Sequence, residues 1–203
     1  MKTYDETEPR LIVVVGTKNG SQCELAKALA VEYNYHYLDA DDLINEETRA
    51  YMAKGRLFSE AMREPWIVNT LRLLQIGHKQ GQSYVLSQVG LKRVYRRRFR
   101  RLPYARPPQG QSVAEERFFN NMVFLLLDDK KPIIVRHARN HNNFFIPSHV
   151  QDHNFEVLDM PVNEDDVKVI DADVDVDIPG LVHQAKLEIN TYFSSTKLAC
   201  AAS

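Results

Sequence analysis

Residues 11–15 read Leu-Ile-Val-Val-Val and stop at Gly16. A run that is apolar at every position, rather than at every second one, describes a strand covered on both faces. Residues 21–33 follow, with Leu25, Ala26, Leu29 and Ala30 at helical spacing. Strand, glycine turn and helix open a βαβ unit, and that unit commits the chain to a parallel sheet with helices on both faces.

The rest of the chain continues the alternation. Residues 35–42 predict a short second strand that ends in carboxylates, and residues 64–81 an amphipathic helix closed by Gly81. Residues 83–90, 122–127 and 167–174 predict three more buried strands. Residues 179–193 predict a last helix with Pro179 in its first turn. The fold class expected is three-layer α/β/α with a five-stranded parallel sheet, in one domain over residues 1–203. Ligands of such folds bind at the carboxyl ends of the strands.

The chain has 203 residues, with 26 Lys+Arg against 27 Asp+Glu, a formal net charge of −1. That total excludes a globally basic nucleic-acid binder and a strongly acidic tail protein. It is also a cancellation, because Arg crowds at 92–106 and acids crowd at 156–177. Two cysteines, Cys23 and Cys200, make no disulfide framework and point to a reducing, cytoplasmic compartment. The N-terminus is polar and acidic, without the apolar stretch of a signal peptide. No apolar run approaches the ~20 residues a membrane span needs.

The first turn carries Gly-Thr-Lys-Asn-Gly-Ser-Gln-Cys, residues 16–23. Its place and length match the phosphate loop G-x-x-x-x-G-K-[ST]. Gly16 is kept. The second glycine, the phosphate-binding lysine and the magnesium hydroxyl are replaced by Ser21, Gln22 and Cys23. Gln22 is neutral, and Cys23 offers sulfur to a hard cation that prefers oxygen. Gly20 stands one place early, and Lys18 inside the loop is the candidate for a displaced positive charge.

Further along, Asp39 and Asp41 fit D-G-D-x-x-H-P; Met52 and Gly55 fit K-M-x-x-G-x-P-L; Arg63, Pro65 and Trp66 fit D-x-D-R-x-P-W. Leu91, Lys92, Tyr95 and Arg96 fit A-L-K-x-x-Y-R-x-x-L-R. Arg136, Arg139, Phe144, Phe155, Leu158 and Pro161 follow a further pattern that begins R-L-x-A-R. Taken in order over about residues 11–190, these matches resemble the gluconokinase family, small P-loop sugar-acid kinases of the shikimate and nucleoside-monophosphate kinase type. The resemblance implies ATP-dependent phosphorylation of D-gluconate to 6-phosphogluconate, with ATP and Mg2+ bound. It implies Asp39 as the base or hydroxyl orienter, with Lys18 as a second catalytic candidate. Gly16, Gly20, Ser21, Gln22, Cys23, Arg136 and Arg139 would lie along the nucleotide. Asp41, Arg63, Lys92 and Arg96 would hold the sugar acid. A lid is expected near 136–147, a basic insertion near 97–117 and a tail at 194–203. A homodimer is a further expectation.

The departures from the pattern fall on polar positions: Ile44 and Asn143 replace histidines, and Met62 replaces the acid next to Arg63, with Glu60 preceding. With the three loop changes they predict weak phosphoryl transfer, or a pseudokinase that binds a sugar acid, a nucleotide or a protein partner. The Arg run offers a third reading, an RNA- or anionic-lipid-binding face, or a charge partner for the acidic stretch. Asp41 and Asp42 are also helix-cap candidates, and Trp66 reads as a core anchor. His137, His141, His149 and His153 find no acid or cysteine to complete a ligand set, so no metal site is assigned. The last four residues fit C-a-a-X, which would prenylate Cys200 and give weak membrane attachment.

Overall fold

The computed structural model describes residues 9–16, 21–57, 59–89, 92–101, 121–128, 159–172 and 176–201. Lys18, Gly20, Arg136, Arg139, the expected lid and most of the expected insertion lie outside them.

Strand β1 is Leu11–Gly16 and helix α1 is Ser21–Tyr33. Strand β2, His36–Asp39, runs into a 3₁₀ turn at Ala40–Leu43 and then α2, Glu46–Ala53. Helix α3 spans Glu60–Lys79, β3 Tyr84–Val89 and α4 Arg93–Arg101. Strands β4, Met122–Asp128, and β5, Val167–Asp171, precede α5, Ile178–Ala201. The strands form one sheet in the order β2-β3-β1-β4-β5, with every neighbouring pair parallel. The expected α/β fold with a five-stranded parallel sheet is what the chain forms.

Strand β1 lies at the centre, and Leu11 through Val15 are all fully buried. Successive side chains leave a strand on opposite faces, so this one run feeds two cores. Leu11, Val13 and Val15 pack with Leu86, Phe124, Trp66, Ile67, Leu74 and Phe99. Ile12 and Val14 pack with Val85, Leu125, Leu29 and Ala185 on the side of α1 and α5. Full burial of each such aliphatic side chain contributes about 1.5–3 kcal/mol.

Helix α3 begins at Glu60, one turn before the expected start at 64. Ser59 is extended, and its carbonyl accepts from the Met62 and Arg63 amides at 3.1 and 3.0 Å. Pro65, still near the helix start, interrupts only one bond there. The helix ends as expected: Gly81 adopts φ 77° and its amide returns to the His78 carbonyl. At the start of α5, Asp177 accepts from the Gly180 amide at 2.8 Å. Among the described residues, no helix is long and apolar enough to cross a membrane.

Candidate functional site

The chain leaves β1 toward β2 on one side and reaches β4 on the other, so the crevice of this sheet opens at the carboxyl ends of β1 and β3. Gly16 ends β1 there, and α1 begins at Ser21. Gln22, in the place of the loop lysine, is buried and folds back over Gly16. A Cβ on Gly16 would lie 2.9 Å from Gln22 Oε1, so only glycine fits beneath it. That oxygen has no hydrogen-bond partner among the described residues. The first turn of α1 thus sets a neutral amide over Gly16.

In the first turn of α1, Cys23 points toward the neighbouring strand ends. Its Sγ lies 3.5 Å from Asp39 Oδ2 and 3.8 Å from Ser87 Oγ. Tyr37 Oη is 3.2 Å from both Asp39 Oδ2 and Ser87 Oγ. The register explains the convergence. Tyr37 pairs with Val85 and Asp39 with Ser87, so alternate residues of β2 and β3 share the α1 face. The other Asp39 oxygen, Oδ1, accepts from the Asp41 amide at 2.9 Å and caps the 3₁₀ turn. Capping therefore falls to Asp39 here, and to Asn45 at α2, rather than to Asp41 or Asp42.

Burial pushes the Asp39 carboxyl above its ordinary range; the charge of Asp41 and, less, of Asp42 adds to this, while the Asp41 amide opposes it. Burial and the charge of Asp39 push the Cys23 thiol up to about 12, so it stays protonated. Burial also raises the Tyr37 phenol.

On the opposite face of the sheet, Trp66 is buried as expected and its Nε1–H donates to the Ala40 carbonyl. Arg49 donates to the Asp41 carbonyl and, at 3.0 Å, to that of Ile44. Two side chains thus fix the turn that carries Asp41. Arg63 is buried, and its guanidinium is depressed by that burial, with the charges of Glu60, Tyr95 and Asp41 opposing. Lys92 and Tyr95 both donate to Glu60. These bonds, Lys92 first, hold the Glu60 carboxyl below its usual value. Arg63, Glu60, Lys92 and Tyr95 therefore form one polar group between α3 and α4.

Arg96 corrects an expectation. Its side chain is 0% exposed. Nε and Nη2 donate to the two oxygens of Glu164 at 3.1 and 2.6 Å, and Nη1 donates to the Asp159 carbonyl at 2.9 Å. A guanidinium with both edges spent this way is a strut and does not face a sugar acid. Arg100 joins the same cluster, reaching Glu164 at 2.6 Å and Asp166 at 2.7 Å. Burial alone would raise the Glu164 carboxyl, but the hydrogen bonds and charges of Arg96 and Arg100 hold it at about 2. Nothing in the local pattern singles out Glu164; only the opposition of an Arg stretch and an acid stretch hints at it. Arg98 pairs with Glu64, while Arg97 is exposed. Most of the described Arg run is thus neutralised within the chain. The Cys200 side chain lies outside the described residues.

These features define an α/β protein with the P-loop kinase fold. A gluconokinase from Sinorhizobium meliloti 1021 superposes with a TM-score of 0.72 at 21% identity, over 94% of this chain and 97% of that one. A sugar kinase from Janibacter sp. HTCC2649 gives a TM-score of 0.72 at 20% identity, over 90% and 95%. Both show the fold. No family model matches the sequence. A probable gluconokinase of Rattus norvegicus is 27% identical over 155 residues, 75% of this chain and 84% of that protein. One of Xenopus tropicalis is 24% identical over 190 residues, 93% and 98%. One of Mus musculus is 26% identical over 174 residues, 85% and 94%. Over most of its length the chain is thus similar in sequence to probable gluconokinases and in fold to a gluconokinase.

Proposed function

We propose that this chain binds ATP and a sugar acid of the gluconate class at the carboxyl ends of its strands, and transfers the phosphoryl group slowly at most. The observation that carries the reading is the similarity to gluconokinases along nearly the whole chain. Asp39 and the first turn of α1 meeting at one strand end add to it.

In this reading the first turn of α1 faces the nucleotide phosphates, since free backbone amides at a helix start favour anions. Asp39 orients the hydroxyl that is phosphorylated and takes its proton. Lys92 and Arg63 face the carboxylate, as a point charge and a planar fork. The donor set does not fit the magnesium ion that the family implies: a thiol stands in place of the hydroxyl, and Asp39 has hydrogen-bond donors at both oxygens. No step is therefore assigned to a metal.

Slow transfer follows from the cradle. Loss of a positioned charge or donor in a dry site costs about 3 kcal/mol in the transition state. Two such losses, at Gln22 and Cys23, remove on the order of four to six decades of rate. Calorimetric titration with D-gluconate and with ATP separately tests the reading. Saturable binding of both is expected, with the gluconate affinity about ten-fold weaker in Lys92→Ala and the stability nearly unchanged. Absence of gluconate binding overturns it.

A further inference from the structure

We infer that Cys23, Asp39, Tyr37 and Ser87 form a hydrogen-bonded ring in place of the divalent-cation site, so that the nucleotide binds this chain without magnesium. The inference rests on the nucleotide reading above and adds a distinct claim about its chemistry.

The phosphate-loop motif ends in a hydroxyl because that oxygen joins the shell of a hard cation. Mg2+ demands near-octahedral oxygen ligands and gives up its waters reluctantly. Here the residue at that point is Cys23, and a thiol is a soft, poor partner for such an ion. Its Sγ is directed at Asp39 Oδ2, 3.5 Å away, across the space an oxygen-bound cation would share. The carboxylate is engaged on its other approaches. Tyr37 donates to Oδ2 and the Asp41 amide donates to Oδ1. Ser87 closes the ring, 3.8 Å from Cys23 and 3.2 Å from Tyr37.

Each member therefore has a partner inside the ring, and the ring ties α1 to the ends of β2 and β3. A cation entering at Asp39 must displace both the thiol and the phenol from Oδ2, and it gains a single carboxylate in return. Among the described residues, no group of three or more His, Cys, Asp or Glu side chains converges on a common point. The positive charge that Gln22 lacks is not supplied by a metal at this point either.

The test is titration of the full chain with ATP, once in excess EDTA and once in Mg2+, repeated with Cys23→Ser and Cys23→Thr. The expected result is an ATP affinity that differs by less than about two-fold between the two conditions in the unmodified chain. In at least one hydroxyl variant, Mg2+ should tighten ATP by about five-fold or more, because an oxygen has been returned to the cation. Two variants are used because either may disturb packing in α1. A tightening of about ten-fold or more by Mg2+ in the unmodified chain overturns the inference while leaving the nucleotide reading intact. Metal indifference in both correctly folded variants overturns the assignment to Cys23. Failure of ATP to bind under either condition overturns the nucleotide reading and this inference together.

Discussion

Asp39 and Glu164 are carboxylates whose surroundings act in opposite directions. Asp39 is buried beside Asp41, and its folded pKa is raised. Its contribution to stability is present below the ordinary carboxylate range and is lost as pH rises through the raised value. Asp39→Asn should therefore raise the melting temperature at pH 7, with the gain vanishing toward pH 4, as differential scanning calorimetry at both pH values would show. An unchanged melting temperature at pH 7 contradicts the assignment of Asp39 as a strained acid. Glu164 lies at about 2, below the unfolded value of 4.5, between two guanidinium groups. Its contribution is present above pH 4.5 and is lost as pH falls toward 2. Arg96→Ala leaves that buried carboxylate short of a partner and should cost about 3–5 kcal/mol at pH 7, measured by urea denaturation. A cost under about 1 kcal/mol would mean that Glu164 is solvated.

At the scale of elements, the short turn after β2 is held by its neighbours more than by itself. Trp66 from α3 and Arg49 from α2 both bond its carbonyls, and Asp39 caps it. Trp66→Phe keeps the apolar packing but leaves the Ala40 carbonyl unpaired. It should lower stability by about 1–3 kcal/mol and weaken sugar-acid binding through Asp41, read as a melt and a titration on the same protein. Strand β1, helix α1 and Gly81 could be read in the sequence because each rests on local physics: an unbroken apolar run, a 3.6-residue repeat, a left-handed turn. The start of α3 could not, because Pro65 looks like a first-turn residue while the Ser59 carbonyl sets the true start. The role of Arg96 was equally hidden. Its motif places it on the substrate side, yet its partner Glu164 is 68 residues away in sequence. The Cys23–Asp39–Tyr37–Ser87 ring needs the register of β2 against β3, which composition does not contain.

For the molecule as a whole, a net charge of −1 is made by pairing two opposed stretches. Arg96 and Arg100 of α4 meet Glu164 and Asp166 ahead of β5, while Lys92 and Arg98 of the α4 segment meet Glu60 and Glu64 of α3. Charge therefore fastens α4 on two sides and pairs most of the described Arg run within the chain. Arg97→Glu, at an exposed position, should change stability by no more than about 0.5 kcal/mol. Arg100→Glu places a third acid in the cluster and should cost several-fold more, about 2–4 kcal/mol by the same urea measurement. Equal effects would mean that the clamp does not exist.

We propose that a scaffold similar to that of gluconokinases carries a cradle unable to stabilise the transferring phosphoryl group. The most direct test is the rate of ADP release with ATP, Mg2+ and D-gluconate, measured side by side on the unmodified chain and on Ser21→Gly/Gln22→Lys/Cys23→Ser. The unmodified chain should turn over far below about 1 per second, and the restored loop should raise that rate by about a hundred-fold or more. Turnover of the unmodified chain at about 1–100 per second, or no gain on restoring the loop, contradicts the account.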